Sequence, residues 1–163
     1  MLGAGFRASG AGTSGVMNCA KLPSVGEIDI MEDVNALSQV AGTLHCGTYP
    51  GGPCHEGTGL GSGLRPCPGC QARYHTYSII VNRMNTSRES ITWYLDGRPY
   101  FTATEQQVGA AAWKAAVDHG FFLILDVAMG GAFPDGVCGC TAPTASTTSG
   151  APMGVQYVTV SVR

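Results

Sequence analysis

The amino-acid sequence predicts an all-β protein, built as an antiparallel β-sandwich or jelly roll. Short runs rich in Val, Ile, Thr, Tyr and Phe recur along it, each bounded by turn-forming residues. Glycine accounts for 24 of the 163 residues and charged residues for only 12%, a composition rich in turns. A single stretch has convincing helical character. Two stacked antiparallel sheets are the simplest way for such strands to bury their apolar faces, and the open concave face of a sandwich could hold an extended polymer. A chain of this length buries one core. The division expected is an irregular or mistranslated segment over residues 1–25, Gly/Ala/Ser/Thr-rich and without strand or helix period, followed by one domain over 26–163.

The elements follow in order. A strand is predicted over 26–33 and another over 40–46, after which a long loop carries Pro50-Gly51-Gly52-Pro53, Gly57 to Gly63 and Pro66 to Cys70. Loops of such length inside compact domains are usually functional. Strands at 74–81 and 91–95 come next, and Asp96-Gly97 has the chemistry of a tight hairpin into a strand over 99–103. The alanine-rich stretch 108–118 is the helix. The apolar run 121–129 reads as a strand buried on both faces, 141–150 as a surface loop, and the alternation over 155–162 as a closing strand.

The net charge of −2 and the absence of a Lys/Arg cluster argue against nucleic acid as a partner. The longest apolar run, Phe121 to Phe133, is interrupted by Asp126 and two glycines, which argues against a membrane span. Residues 1–15 lack the regions of a readable signal peptide, so an export address is expected upstream of this chain. Seven cysteines point to an oxidising compartment. Cys46 with Cys54 and Cys67 with Cys70 are plausible local pairs, Cys138 and Cys140 sit too close for an easy bridge, and one cysteine is left over. A metal site made of Cys67, Cys70, Cys138 and Cys140 is the alternative use, although the spacings match no zinc pattern well.

The chemistry concentrates in Gly26-Glu27-Ile28-Asp29-Ile30-Met31-Glu32. On a regular strand Glu27 and Asp29 share one face, with Ile28 and Ile30 on the other, and Glu32 would then face the core. A buried, unpaired Glu among isoleucines costs several kcal/mol. A β-bulge at Ile30-Met31 would restore Glu32 to the face of Glu27 and Asp29. Three like charges on one strand oppose folding, which favours a functional purpose. Retaining glycosidases need two carboxyl groups about 5–5.5 Å apart, one a nucleophile and the other an acid and then a base. A solvated acidic strand edge and a Ca²⁺ site are the alternatives for the same residues.

The segment Glu27-Ile28-Asp29-Ile30-Met31-Glu32 resembles the signature of glycoside hydrolase family 16 in its bulged, laminarinase-like form. Gly42-Thr43-Leu44-His45-Cys46-Gly47, Tyr74-His75-Thr76-Tyr77, Ile91-Thr92-Trp93-Tyr94-Leu95-Asp96-Gly97 and the run from Phe121 to Gly131 resemble later strands of the family in the same order, so the resemblance spans roughly residues 25–162. It implies a concanavalin A-like jelly roll and a secreted, monomeric enzyme without cofactor. The implied reaction is retaining endo-hydrolysis of β-1,3- or mixed β-1,3/1,4-glucans. By the same resemblance Glu27 is the nucleophile, Asp29 its assisting carboxylate and Glu32 the general acid/base. His75 aligns with a cleft-facing histidine, and His45 lies on the next strand in sequence. Both are candidate substrate-binding residues, with a structural histidine as the alternative for each. Trp93 is more readily a core residue than a sugar platform. Asp126 and Phe133 are further substrate-binding candidates, standing where relatives usually carry Asn and often Trp. Gln156 stands where relatives often carry an Asp near a calcium site, so no metal is predicted. Relatives place much of the jelly roll before the carboxylate strand, and the expectation for this chain is a truncated start with exposed edges. A transglycosylase of the same family, a non-catalytic glucan-binding module and an inactive fragment are the competing functions.

Overall fold

The structure is a computed structural model that describes residues 2–10 and 21–162. Nine strands are described: β1 (Leu2–Gly10), β2 (Glu27–Val34), β3 (Gln39–His45), β4 (Leu60–Gly61), β5 (Arg65–Pro66), β6 (Tyr77–Asn82), β7 (Ser90–Leu95), β8 (Arg98–Thr104) and β9 (Phe121–Met129). Three short helices accompany them: α1 (Glu105–Val108), α2 (Ala110–Val117) and α3 (Ala132–Cys138). Strands β4-β3-β2-β1-β9 form one sheet in that order, with β5 also paired to β3, and β6-β7-β8 form a second. All pairings are antiparallel. The all-β sandwich is the predicted fold class, and the sheets do not close on themselves.

The core lies between the sheets. Ile28 and Ile30 of β2 and Leu44 of β3 meet Ile91 and Trp93 of β7, Ala103 of β8, and Trp113, Ala116 and Val117 of α2. Trp93 is fully buried, as its place between Ile91 and Leu95 suggested, and its indole N–H donates to the Asp29 carbonyl at 2.8 Å. The tryptophan of the second sheet therefore grips the backbone of the carboxylate strand. Its indole also lies against Gly42 of β3, where an added Cβ would come within 2.4 Å of Trp93 Cδ1. The β7–β8 hairpin turns at Asp96 and Gly97 with φ of 50° and 75°, the left-handed pair expected of that dipeptide. The helix predicted over 108–118 is α2, and Gly109, at φ 85°, separates it from the short α1 before it.

Four expectations change. Residues 2–10 are not irregular: they form β1, paired with β2 on one side and β9 on the other. A Gly/Ala-rich stretch with no periodicity becomes a strand here because it can hydrogen-bond along both edges, a tertiary effect that overrides propensity. The rest of the anomalous start, residue 1 and residues 11–20 with Cys19, lies outside the described residues. Strand β9 is not buried on both faces, since Phe122, Leu123, Leu125, Val127 and Met129 are all exposed. The expected closing strand over 155–162 is absent: the alternation suits a pleat, but no described strand pairs with it, and without a ladder it remains irregular. Finally, Cys138 and Cys140 are joined, made possible by the left-handed Gly139 between them, alongside the expected pairs Cys46–Cys54 and Cys67–Cys70. No helix among the described residues is long and apolar enough to cross a membrane.

Candidate active site

The carboxylates sit on a strand whose register shifts where the sequence called for it. Against β3, Asp29 pairs with Thr43 and Glu32 with Ala41, so three steps along β2 match two along β3. Against β1, Met31 pairs with Phe6 and Asp29 with Arg7, leaving Ile30 as the extra residue. Thr43 and Ala41 are two apart on one strand and share a face, and so do their partners Asp29 and Glu32. Ile28 and Ile30 fill the core while Glu27, Asp29 and Glu32 come together on the opposite side.

Basic groups on the flanking strands answer this concentration of negative charge. Arg7 of β1 lies between acids on both sides: 3.4 Å from Glu27, 3.7 Å from Asp29 and 3.4 Å from Asp126 of β9. His45 of β3 places Nε2 at 3.2 Å from Asp29 and Nδ1 at 2.9 Å from Glu56. Glu56 is itself buried and accepts the Cys46 N–H at 2.9 Å. Burial opposes a charge on His45, yet its bonds to Asp29 and Glu56 outweigh that and raise its pKa to about 9.

Within this cluster the two glutamates are held toward their protonated forms. Burial, then the Asp29 charge, lifts Glu32 to about 7, against the smaller opposing effects of His45, Arg7 and the Thr43 hydroxyl. Glu27 is raised by the same two causes, with Arg7 and His45 opposing. An acid titrating near neutrality beside a second carboxylate is the arrangement in which one group donates a proton and the other attacks or stabilises charge.

Other predicted residues divide between two cavities. Glu32, Arg7, Asp126 and Phe133 line one of about 200 Å³, together with Gly130 and Gly131 just before α3. Asp126 and Phe133 thus join the carboxylate site. His75 does not: Asp96 holds it at 2.8 Å, and it lines a separate cavity of about 670 Å³ with Met31, Tyr77 and the segment 151–158. His45 is held by two carboxylates, Asp29 and Glu56. Two functional side chains escaped the sequence. Arg7 lay in a segment without periodicity, and Glu56 in a Gly-rich loop whose length was its only signal. Among the described residues, the one group of His, Cys, Asp and Glu close enough to share a metal ion is Asp135, Cys138 and Cys140, and its two sulfurs are bonded to each other.

No family model matches the chain. It is 34% identical over 140 residues to glucan endo-1,3-β-glucosidase A1 of Niallia circulans, a match covering 83% of this chain and 19% of that protein. With the glucan endo-1,3-β-glucosidase of Cryptopygus antarcticus it shares 33% identity, covering 68% of this chain and 40% of that protein. Among solved structures, the endo-1,3-β-glucanase from Streptomyces sioyaensis superposes with a TM-score of 0.81 at 45% identity, over 90% of this chain and 51% of that one. The laminarinase catalytic domain from Thermotoga maritima does so with a TM-score of 0.64 at 27% identity, over 91% and 53%. The chain spans about half the length of these solved relatives and less than half of the curated ones.

Proposed function

Because the chain belongs to glycoside hydrolase family 16, among the endo-1,3-β-glucanases and laminarinases, we propose that it cleaves β-1,3-glucan internally with retention of configuration. The observation that carries this reading is the bulge that gathers Glu27, Asp29 and Glu32 on one face of β2. Glu27 attacks the anomeric carbon and the glycosidic C–O bond breaks. Glu32, protonated below about pH 7, gives its proton to the departing oxygen. The resulting glycosyl ester on Glu27 is then hydrolysed by water, whose proton passes to the Glu32 carboxylate, and both acids return to their starting states. Asp29, buried between the two and bonded to His45, limits their freedom to ionise together. Arg7, Asp126 and Phe133 line the cavity beside Glu32 and would contact a sugar bound there. Mixed β-1,3/1,4-glucan fits the same chemistry, and the three disulfides suit a secreted enzyme.

The experiment is incubation of the chain and of Glu27→Gln with laminarin, barley β-glucan and xyloglucan. Reducing ends should appear from laminarin with the native chain, at a rate lowered at least about a thousandfold in the variant. Equal release by both would remove the catalytic reading.

A further inference from the structure

The loop between β3 and β4 is anchored at the catalytic cluster by one buried side chain. The Cys46–Cys54 disulfide, both of whose sulfurs are buried, closes its base, and the backbone of Gly51 pairs with that of Glu56 across it. Glu56 turns inward from this loop. One of its carboxylate oxygens takes the Cys46 N–H and the other sits 2.9 Å from His45 Nδ1, while the far nitrogen of the same ring lies 3.2 Å from Asp29. A carboxylate facing each nitrogen demands a ring that donates from both.

We propose that Glu56 is a positioning residue for the glucanase reaction, holding the His45 ring as a cation whose Nε2–H is aimed at Asp29. The proposal rests on the roles given above to Glu27, Asp29 and Glu32. The groups facing this pair are Asp29, Glu27 and Glu32 from β2, with Arg7 from β1 across the same carboxylates. With Glu56 ionised, His45 carries a full positive charge against Asp29 and lowers the proton affinity of Glu27 and Glu32. With a neutral amide in its place, the ring can still donate to Asp29 as a neutral imidazole, so geometry is kept while charge is lost. Glu56→Gln therefore separates an electrostatic role from that of a mere loop anchor, since glutamine still accepts the Cys46 N–H.

Two measurements on the whole chain decide it. Heteronuclear NMR of the imidazole nitrogens should show His45 protonated on both through neutral pH in the native chain, and its pKa lowered by about one unit or more in Glu56→Gln. A neutral His45 at neutral pH in the native chain, or a titration that Glu56→Gln does not move, overturns the proposal. On laminarin, Glu56→Gln should lose about tenfold in kcat with KM nearly unchanged, and Glu56→Asp should recover part of the loss. An unchanged kcat also overturns it, and a loss confined to KM does the same. A purely structural anchor would lower the melting temperature without moving the His45 pKa. If Glu56→Gln fails to melt cooperatively, the titration of the native chain decides alone. If the native chain does not cleave laminarin, the glucanase reading falls while the titration still reports on Glu56.

Discussion

At the residue scale, burial and the Asp29 charge raise both glutamates, and their remaining partners differ in detail. Arg7 and His45 oppose protonation of both, but Arg7 lies 3.4 Å from Glu27, whereas Glu32 is met by the Thr43 hydroxyl at the same distance. Glu32, at about 7, holds a proton at mildly acidic pH and loses it as pH rises through that value. The rate on laminarin should therefore fall on the alkaline side near pH 7, and Glu32→Gln should remove that limb together with most of the activity. A pH–rate profile of Glu32→Gln that keeps both limbs would contradict this assignment. For folding the sign also follows: a carboxyl whose folded pKa lies above its unfolded value stabilises the protein at low pH. That contribution is lost as pH rises from the unfolded value of 4.5 to about 7. Glu27, Asp29 and Glu32 were legible in the sequence because strand parity alone shows that an insertion is needed to unite them. Arg7 and Glu56 were not, since each reaches the cluster through a chain reversal that no local pattern announces.

At the element scale, β2 is held from both layers, and its neighbours leave little space. Trp93 donates to the Asp29 carbonyl from the second sheet, and Gly42 on β3 admits that indole only because it has no side chain. Gly42→Ala would set a methyl group 2.4 Å from Trp93 Cδ1 and 2.8 Å from the Tyr100 hydroxyl. Destabilisation of about 1–3 kcal/mol is expected, read as a lower denaturant midpoint with unchanged slope. Trp93→Phe leaves the Asp29 carbonyl without its donor and should cost about 1–3 kcal/mol beyond the loss of packing. Helix α2 abuts the same strand at its start: a Cβ on Gly26 would fall 2.0 Å from the Ala116 carbonyl oxygen. The inward faces of β2 and β7 were legible because Ile28 and Ile30 on one, and Ile91 and Trp93 on the other, stand two residues apart. The helical turn before Gly109 was not, because Glu105 to Val108 carries none of the alanines that marked α2.

For the whole molecule, the exposed flank of β9 departs most from what the sequence suggested. A strand this apolar normally means burial on both sides, yet Leu123 and Leu125 are each 44% exposed. Sequence pattern reports how apolar a strand is and not what lies over it. Leu125→Thr should accordingly change stability by no more than about 0.5 kcal/mol, the behaviour of a surface site, where a core leucine would cost several times as much. Thermal melts of the native chain and the variant measured side by side provide the check, and a large loss would mean that this flank is covered in solution.

Under the proposed reaction, the bulge makes activity a matter of odd and even. A ladder shorter by Ile30 would still contain every acid and present the same ionisable groups to a chemical assay. Removing Ile30 alone would nevertheless exchange inside and outside for everything on one side of the deletion, sending either Glu32 or its two companions into the greasy layer. A single lost codon there would abolish turnover without altering any reactive group.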